Sequence, residues 1–291
     1  MNEPLISIVI VVFNAGSTLQ IAIDSVLSQT YRNVELVIID GGSKDNTLQV
    51  IESYRSRIDY FTSEKDNGVY DAMNKGIAAA KGDWIFFLGA DDRLYDSNIL
   101  TTVFSNADLS GIDFLYGDVE FTSNKRRYGG EKDYVTLLEK NICHQAIFHQ
   151  KNLFKKLGLF SQKYPVLADF EMNIRVFRDD ALRRKYIPLK ITFFNNLGMS
   201  GKVLDRYFHG DMLKLFLEKD KVSFFAPHLQ EFHFYYGLIN LYSKKTLLAF
   251  KHIPLSWIRG RRKLFYFLFT FKFLLRTLSG NKIVIKPGLQ R

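Results

Sequence analysis

The N-terminal part of the chain alternates short, continuously apolar runs with longer amphipathic segments. The apolar runs are rich in Ile, Val and Phe, as is typical of strands buried on both faces, and they occupy residues 5–13, 34–39, 58–61 and 84–88. The intervening segments predict helices at residues 17–29, 46–55 and 69–80. Strands separated by helices of this length predict an α/β fold, with a mainly parallel sheet and right-handed crossovers.

Two of the predicted helices carry signals at their ends. Ser17-Thr18-Leu19-Gln20 has the spacing of a capping box, which predicts the start of the first helix. The third helix is followed by Lys81-Gly82, where the basic side chain suits the helix dipole and the glycine suits a left-handed cap.

From about residue 112 the pattern becomes mixed. It predicts two short strands, at residues 114–116 and 119–121, and an exposed basic loop at residues 124–128. A helix at residues 168–177 and a longer strand at residues 187–194 follow. Beyond these elements the chain is helical in pattern and rich in aromatic residues. We therefore expect a domain at residues 1–204, with halves at about 1–110 and 111–204, and a helical, basic appendage at residues 205–291.

The loops after the four apolar runs carry acids and an amide. These side chains are Asn14, Asp40, Glu64, Asp66, Asp91 and Asp92. In an open α/β sheet the carboxyl ends of parallel strands share one edge, so we expect the loops to gather there. Neighbouring carboxylates repel one another unless a cation or a ligand rich in hydroxyl and amide donors lies between them. Ribose and uracil offer such donors, and a divalent metal can join the acids to a diphosphate.

A simpler interpretation of Asp91 and Asp92 is a turn that caps a helix starting near Asp96. The chain has no G-x-G-x-x-G turn after its first strand and no G-x-x-x-x-G-K-[ST] loop. These absences argue against a dinucleotide-dependent dehydrogenase and against a P-loop enzyme. Phosphate neutralisation would then depend on a metal, which favours the acidic pair as its ligands.

Four segments of the chain together resemble those of a known family. In chain order they are residues 4–14, Asp40-Gly41-Gly42-Ser43-Lys44-Asp45, residues 64–76 and Ala90-Asp91-Asp92. They resemble glycosyltransferase family 2 over roughly residues 4–200, and most of all bacterial enzymes that extend lipid-linked O-antigen, capsule or exopolysaccharide units. The resemblance implies a GT-A fold, inversion at the anomeric carbon and an Mn2+ or Mg2+ cofactor. It also implies a UDP-hexose or UDP-N-acetylhexosamine donor and a polyprenyl-diphosphate-linked saccharide acceptor. The first half of the domain would then bind the nucleotide-sugar and the second half the acceptor.

The resemblance assigns roles to the acidic loops by position. It places Asn14, Asp40 and Asp66 near the nucleoside, Asp91 at the metal and the donor hydroxyls, and Asp92 at the metal. The chain departs from the family pattern twice. The frequent second acid of the Asp40 loop is Gly41, and an acid often found two positions before Asp91 is Gly89.

Inverting transfer requires a base that takes the proton of the acceptor hydroxyl. Asp169, within Ala168-Asp169-Phe170-Glu171, resembles the acid of the family's Glu-Asp motif, with Ala168 in place of the glutamate. Glu171 is the alternative base. Asp169 also suits a purely structural place in the first turn of a helix, where the dipole favours an acid.

Two further segments resemble acceptor-side features of the family. His144-Gln145 is similar to a His-Gln pair that lines the acceptor pocket, although a lone histidine is often a structural residue. Residues 195–202, which include Ser200, are similar to a loop that closes over the diphosphate, and an ordinary turn at a strand end is the alternative. Cys143, the only cysteine, is expected to be buried and inert, and its being single fits a reducing compartment. The N-terminal residues lack the basic region of a signal peptide, so we expect a cytoplasmic protein.

The C-terminal region holds the positive charge. Residues 205–291 contain 16 of the 40 Lys and Arg but 5 of the 30 Asp and Glu, so an excess of 11 charges there and a deficit of one elsewhere give the net +10. Arg259, Arg261, Arg262 and Lys263 precede an aromatic, leucine-rich run that is too short and too charged to span a bilayer. This combination predicts peripheral binding to an anionic membrane surface, at the cytoplasmic face of the inner membrane. A helix packed on the catalytic domain is one alternative, and nucleic-acid binding is another, although no nucleic-acid module is recognised.

The sequence therefore predicts an inverting, metal-dependent glycosyltransferase bound peripherally to the membrane. A protein of another class is the alternative, namely a non-catalytic nucleotide-sugar-binding or scaffolding subunit of a polysaccharide assembly complex. The presence of both Asp92 and Asp169 favours the enzyme.

Overall fold

The computed structural model describes residues 3–105, 108–196 and 205–217. Its strands are β1 (Ile6–Val12), β2 (Val34–Asp40), β3 (Tyr60–Ser63), β4 (Trp84–Gly89), β5 (Arg93–Leu94), β6 (Phe114–Phe121), β7 (Arg127–Tyr128), β8 (Ile147–Gln150) and β9 (Arg184–Phe194). Its helices are α1 (Leu19–Leu27), α2 (Thr47–Ser53), α3 (Val69–Ala79), α4 (Ile99–Phe104), α5 (Tyr134–Glu139), α6 (Asn152–Leu157), α7 (Ala168–Arg178) and α8 (Arg206–Leu217). Within these ranges no helix has the length and apolar character needed to cross a bilayer.

The chain divides into two compact units. The first comprises residues 1–132, 142–165 and 175–197 and contains all nine strands of the described residues. The second comprises residues 133–141, 166–174 and 198–291, and its described elements are α5, the first part of α7 and α8. The expected boundary at residue 204 stays a prediction, and most of the basic appendage lies outside the described residues.

The first unit is built on one mixed sheet. The strand order is β3-β2-β1-β4-β8-β6-β9-β5, and β7 pairs with β6. β1 is parallel to β2 and β4, and β2 is parallel to β3. β8 is antiparallel to both β4 and β6, β9 is parallel to β6, and β5 is antiparallel to β9. The predicted α/β class is confirmed, and the parallel half of the sheet is the half that the apolar runs predict.

The register of the parallel strands aligns their carboxyl ends. Val12 lies beside Asp40, Asp40 beside Ser63, and Val11 beside Gly89. The loops that follow β1, β2, β3 and β4 therefore emerge at one edge of the sheet, where open α/β sheets bind ligands.

Helix α1 begins differently from the capping-box prediction, which is wrong. The residue before it, Thr18, already has a helical backbone (φ −118°, ψ −30°), and no side chain caps the first turn. The Thr18 hydroxyl instead donates backwards to the Ala15 carbonyl (3.2 Å). The loop before α1 is held by the segment at the start of α2. Ala15 N donates to Thr47 Oγ1 (3.0 Å), and Gly16 N donates to Asp45 (3.1 Å).

Helix α3 ends without the predicted left-handed glycine, so that prediction is also wrong. The helix stops at Ala79, and Ala80 turns the chain into an extended conformation (φ −59°, ψ 133°). Gly82 has no positive φ. A Cβ at Gly82 would lie 2.5 Å from Ser7 Oγ and 2.7 Å from the Leu5 carbonyl oxygen, so close approach to the start of β1 is what requires glycine there.

The second half of the sheet departs furthest from the sequence pattern. The two strands predicted at residues 114–116 and 119–121 are one strand, β6, whose pairing with β9 shifts register around Asp118. Part of the predicted basic loop forms β7. The pattern does not predict β5 or β8, because they have two and four residues and are defined by partners distant in sequence.

A histidine lies in the aromatic core of this sheet. His149, on β8, is 1% exposed. Its ring packs against four phenylalanine rings, those of Phe87, Phe114, Phe154 and Phe160. Its Nδ1 atom has no hydrogen-bond partner. Burial, with a smaller contribution from the nearby His144, lowers the pKa of His149 to about 3, so the ring is neutral near pH 7.

We expect acid to destabilise the sheet through His149. Its folded pKa lies below that of an unfolded histidine, about 6.5, so the unfolded chain binds the extra proton and stability falls as the pH drops from there towards 3. At about 1.4 kcal/mol per pKa unit, His149→Leu should remove roughly 2 kcal/mol of the stability loss between pH 7 and pH 5. Urea unfolding of both proteins at the two pH values measures the difference. Equal losses in both proteins would contradict a neutral, buried His149.

Candidate donor site and catalytic acids

Asp40 ends β2 and is fully buried. Its carboxylate accepts hydrogen bonds from the backbone N–H groups of Gly42 (3.1 Å) and Ser43 (3.0 Å) and from the Ser63 hydroxyl (2.6 Å). The Ser43 hydroxyl also donates to it. Gly42 permits this tight loop because its φ of +84° is strained for residues with a side chain. The buried Asp40 carboxylate therefore fixes the conformation of the loop after β2.

Asn14 is bonded to the same loop. Its backbone N–H donates to Ser43 Oγ (2.8 Å), and its side-chain Oδ1 accepts from Lys44 N (2.8 Å). The Asn14 φ of 49° is left-handed, a conformation that asparagine tolerates better than most residues. The loops after β1 and β2 are thus joined, as the sequence predicts for two carboxyl ends at one edge.

Asp66 occupies the space that the glycine at position 41 leaves open. A Cβ at Gly41 would collide with Asp66 Oδ2, and Asp66 Oδ1 accepts from Gly68 N (2.9 Å). Asp66 is half-buried. A carboxylate from the loop after β3 therefore lies against the position where the family frequently has its second acid. Glu64, in that same loop, pairs with Lys75 (2.8 Å).

Asp91 and Asp92 follow β4 and differ in exposure. Asp92 is 3% exposed, and its two oxygens accept separate hydrogen bonds, from Asn195 N (2.7 Å) and from Gln145 Nε2 (2.9 Å). Asp91 is exposed, and one of its oxygens accepts from Asn195 Nδ2 (2.8 Å). A Cβ at Gly89 would collide with Asp92 Oδ2 and would lie 3.2 Å from Asp91 Oδ1. The missing side chain at Gly89 therefore leaves room where the two carboxylates converge.

The electrostatics of this pair favour a cation. Burial is the main cause that raises the pKa of Asp92 to about 6, and the charge of Asp91 raises it as well. Hydrogen bonds from Asn195 and Gln145 and the nearby His144 act in the opposite direction. Two converging carboxylates suit Mg2+ or Mn2+, which prefer oxygen ligands and retain positions for phosphate and water. Among the described residues, no three His, Cys, Asp or Glu side chains form a metal-binding group, so phosphate or water would have to complete the coordination.

The predicted acceptor residues have different places in the structure. Gln145 is buried and contacts Asp92, while its Oε1 accepts from Cys143 Sγ (2.8 Å). His144 is half-buried, and Cys143 is also half-buried rather than buried as the sequence suggested. Ser200 lies outside the described residues. Gln145 therefore supports the acidic pair, a role that its sequence position alone did not indicate.

Asn195 is the residue of this edge that sequence reasoning missed. It follows β9, and it donates to Asp91 from its side chain and to Asp92 from its backbone. The only signal was its position at the start of the segment predicted to close over the diphosphate. Asparagine at a strand end is too common for that position to identify a functional residue.

The second unit holds the two candidate bases. Asp169 and Glu171 lie in the first turn of α7, and both are buried. Asp169 Oδ2 accepts from Asn141 Nδ2 (3.3 Å), and Asn141 Oδ1 accepts from Asn173 Nδ2 (2.8 Å). A short chain of amides thus orients the Asp169 carboxylate. The place in the first helical turn also suits an acid that interacts with the dipole.

Asp205 fixes the start of the same helix. It is buried, and its Oδ2 accepts from the backbone N–H groups of Val166 and Leu167 (3.0 Å each). Its Oδ1 accepts from Phe208 N (3.0 Å). Asp205 therefore joins the backbone before α7 to the first turn of α8. Neither Asn141 nor Asp205 belongs to a recognisable motif, so no sequence signal could have found them.

The chain matches known proteins along most of its length. The family described as "Glycosyl transferase family 2" matches residues 7–184. The chain is 39% identical over 214 residues to the PGL/p-HBAD biosynthesis glycosyltransferase of Mycobacterium bovis (strain BCG / Pasteur 1173P2), which is 72% of this chain and 84% of that protein. Two solved structures share the fold at 14% identity. One is S. aureus TarS 1-349 in complex with UDP (TM-score 0.59, 97% of this chain and 95% of that chain). The other is the mannosyltransferase PcManGT from Pyrobaculum calidifontis in complex with GDP-Man and Mn2+ (TM-score 0.56, 96% of this chain and 84% of that chain). By its family match and its curated relative, the chain belongs to glycosyltransferase family 2.

Proposed function

We propose that this enzyme transfers a hexose or an N-acetylhexosamine from a UDP-sugar to a polyprenyl-diphosphate-linked saccharide, with inversion at the anomeric carbon. The pathway would be the synthesis of a bacterial surface polysaccharide such as O-antigen or capsule. The observation that carries the proposal is the convergence of Asp91 and Asp92 at Gly89, at the sheet edge that also holds the Asn14 and Asp40 loops. The UDP bound to TarS supports a uridine nucleotide as the donor's carrier.

The nucleoside would be bound by the joined loops after β1, β2 and β3. Asp66 is half-buried, so its carboxylate can accept hydrogen bonds from ribose hydroxyls or from the uracil N–H. Asn14 is exposed and would add an amide to the same site. Asp40 contributes indirectly, because its buried carboxylate holds the loop that bears Gly41 and Gly42.

Asp91 and Asp92 would hold a Mg2+ or Mn2+ ion, and the Mn2+ bound to PcManGT supports a metal in this fold. When bound, the ion supplies Lewis-acid stabilisation of the departing diphosphate. Asp91 is the more accessible ligand, since it is exposed and one of its oxygens accepts no hydrogen bond from the described residues. Asp92 is held in place by Asn195 and Gln145, so its orientation is set before any ligand binds.

Asp169 would act as the general base that removes the proton of the acceptor hydroxyl while that oxygen attacks the anomeric carbon. The Asn141 amide orients its carboxylate for this role. Glu171 is the alternative base on the same helix turn. His144 and Ser200 would contact the acceptor or the diphosphate.

A UDP-release assay tests the proposal. The full-length protein is incubated with UDP-glucose, UDP-galactose and their N-acetylated forms, with a synthetic lipid-diphosphate-sugar acceptor, and with either Mn2+ or a chelator. We expect acceptor-dependent UDP release from one donor, and only with metal. UDP binding without release from any donor would favour the non-catalytic subunit of an assembly complex.

We also propose that the basic C-terminal region binds an anionic membrane surface. Each basic residue near such a surface contributes about 1 kcal/mol, so Arg259, Arg261, Arg262 and Lys263 together could shift the partition constant by roughly a thousandfold before screening. We therefore expect the protein to sediment with anionic liposomes and only weakly with neutral ones. This region lies outside the described residues, and the prediction rests on its sequence.

Reversing those four charges should release the protein into the supernatant. The control is a variant that carries the same number of reversals in the sheet-bearing unit, at Arg32, Arg55, Lys155 and Lys185, and this control should still sediment. A charge-reversed tail variant that still sediments with anionic liposomes, or a wild type that never does, would contradict membrane binding by the tail.

A further inference from the structure

Two cations and two aromatic rings form a cluster around the β5–β9 pair, which adjoins the acidic pair in the chain. Arg93 on β5 lies opposite Phe193 on β9, and its guanidinium carbon is 3.9 Å from the Phe193 ring centroid. Lys125 Nζ is 5.3 Å from the same centroid. The Tyr95 ring stacks on Phe193, with centroids 4.7 Å apart and an interplanar angle of 20°. We call Arg93, Tyr95, Lys125 and Phe193 the basic platform.

The two cations of the platform form no ion pair within the described part of the chain, although both Arg93 and Lys125 are exposed. Lys190 differs, because it lies over Tyr95 (4.5 Å) and also bonds Glu120 (2.7 Å). One phosphate carries enough charge to interact with both cations, which lie 3.9 Å and 5.3 Å from the same ring centroid. The platform therefore favours an anionic ligand.

Aromatic contact also restrains the two cations. A free arginine or lysine on a surface samples many rotamers, and binding must overcome that entropy. Contact with the Phe193 ring restrains both side chains. The entropy cost of that restraint is then met when the protein folds and not when a ligand binds. The planar fork of Arg93 matches the geometry of a phosphate, and Lys125 adds a compact second charge.

The platform is continuous with the proposed metal site. Arg93 directly follows Asp92 in the chain, and Phe193 precedes by two residues Asn195, which donates to both acids. The loop that bears Lys125 is joined to the same strand end, because Ser123 Oγ donates to Asn196 Oδ1 (2.6 Å). An anion on the platform would therefore lie close to the edge where the donor's diphosphate is proposed to bind.

We propose that the basic platform binds the phosphate-bearing end of the acceptor, an inference that rests on the proposed transfer to a lipid-diphosphate-linked saccharide. The acidic pair requires a cation before it can hold a diphosphate, whereas the platform binds a phosphate directly through its own charges. A lipid diphosphate presents its anionic group next to an apolar chain. This combination of charge and apolar surface matches cations that lie beside half-buried aromatic rings.

Binding of farnesyl diphosphate, a short and soluble lipid diphosphate, tests the inference. The full-length protein is saturated with UDP and Mg2+ and titrated calorimetrically with farnesyl diphosphate, and with farnesol as the uncharged comparison. We expect the double variant Arg93→Gln/Lys125→Gln to bind farnesyl diphosphate at least about tenfold more weakly than wild type, the effect of losing one strong charge-assisted contact. The control double variant Arg126→Gln/Lys155→Gln removes two exposed cations outside the platform and should bind as wild type does.

Separate titration with UDP alone distinguishes the acceptor from the donor. If the platform variant loses affinity for UDP as much as for farnesyl diphosphate, the platform serves the donor diphosphate and the inference is wrong. Unchanged binding of farnesyl diphosphate, equal binding of farnesol, or no binding to wild type would each overturn it as well. Displacement of farnesyl diphosphate by a single-stranded oligonucleotide at lower concentration would assign the platform to nucleic acid. UDP release by wild type is measured in parallel. It tests the proposed transfer reaction separately from the proposed role of the platform.

Discussion

Replacing Asp169 by asparagine is expected to lower turnover by about two to four powers of ten, the usual cost of losing a general base. Asparagine has almost the same shape and can still accept the hydrogen bond from Asn141. It cannot, however, take a proton from the acceptor hydroxyl. The affinity for UDP should barely change, because other side chains are proposed to bind the nucleoside. Initial rates with saturating donor and acceptor, together with calorimetric UDP binding, measure both quantities.

Glu171→Gln is the matched control for this prediction, since it removes a second buried carboxylate from the same turn of α7. Its effect on turnover should be much smaller than that of Asp169→Asn. Asn141→Ala should have an intermediate effect, because it removes the amide that orients Asp169 and leaves the base itself in place. A severe loss in Glu171→Gln beside a mild loss in Asp169→Asn would move the base to Glu171.

The parallel half of the fold could be predicted from the sequence because its strands are continuous apolar runs. β1, β2 and β4 are buried along nearly their whole length, so each one is visible in the sequence as an uninterrupted apolar run. β5 and β8 carry no such signal, since their existence depends on pairing with β9, β4 and β6. The predictions for the start of α1 and the end of α3 were wrong for a related reason. Side chains distant in sequence hold the backbone beside each of these helix ends, because Thr47 and Asp45 accept from Ala15 and Gly16, and Glu35 accepts from Gly82. Local propensity does not record those bonds.

The place of the acids at the carboxyl ends of the parallel strands could also be predicted, because each one follows a predicted strand. Their supporting residues could not. Asn195 and Gln145 are distant from Asp92 in the chain, and their amides are unremarkable in sequence until the fold brings them to its oxygens. The same holds for Asn141 beside Asp169.

The two departures from the family pattern become intelligible in the structure. Gly41 lacks the acid that the family frequently has, and the Asp66 carboxylate occupies the space where its side chain would begin. Gly89 lacks another acid, and Asp92 Oδ2 lies where its side chain would be. A carboxylate from elsewhere in the same edge is therefore present at each position, which keeps the edge acidic even though the motif has changed.

The difference between Asp91 and Asp92 determines which substitution tests the metal site. Both oxygens of the buried Asp92 accept hydrogen bonds from N–H groups, those of Asn195 and Gln145. In Asp92→Asn the new amide NH2 would therefore face one of these N–H donors, and that pair could not form a hydrogen bond. That mismatch should reduce the free energy of unfolding by about 1–3 kcal/mol. Lost activity in Asp92→Asn would therefore mix a metal effect with a structural one. Asp91 is exposed, so Asp91→Asn should leave the free energy of unfolding nearly unchanged.

Asp91→Asn is expected to lower metal-dependent turnover by roughly a hundredfold to a thousandfold. A bound divalent ion stabilises developing charge by several kcal/mol, and each 1.4 kcal/mol corresponds to about a factor of ten in rate. Removing the charge of Asp91 should weaken the proposed site for Mn2+, while the proposed nucleoside contacts at Asn14 and Asp66 should persist. Titration of Mn2+ in the presence of UDP should therefore show the weakened affinity, and Asp108→Asn, an exposed acid in another loop, should behave as wild type. Full activity of wild type in a chelating buffer, or of Asp91→Asn with Mn2+, would contradict the metal assignment and leave the acidic pair as direct acceptors for donor hydroxyls.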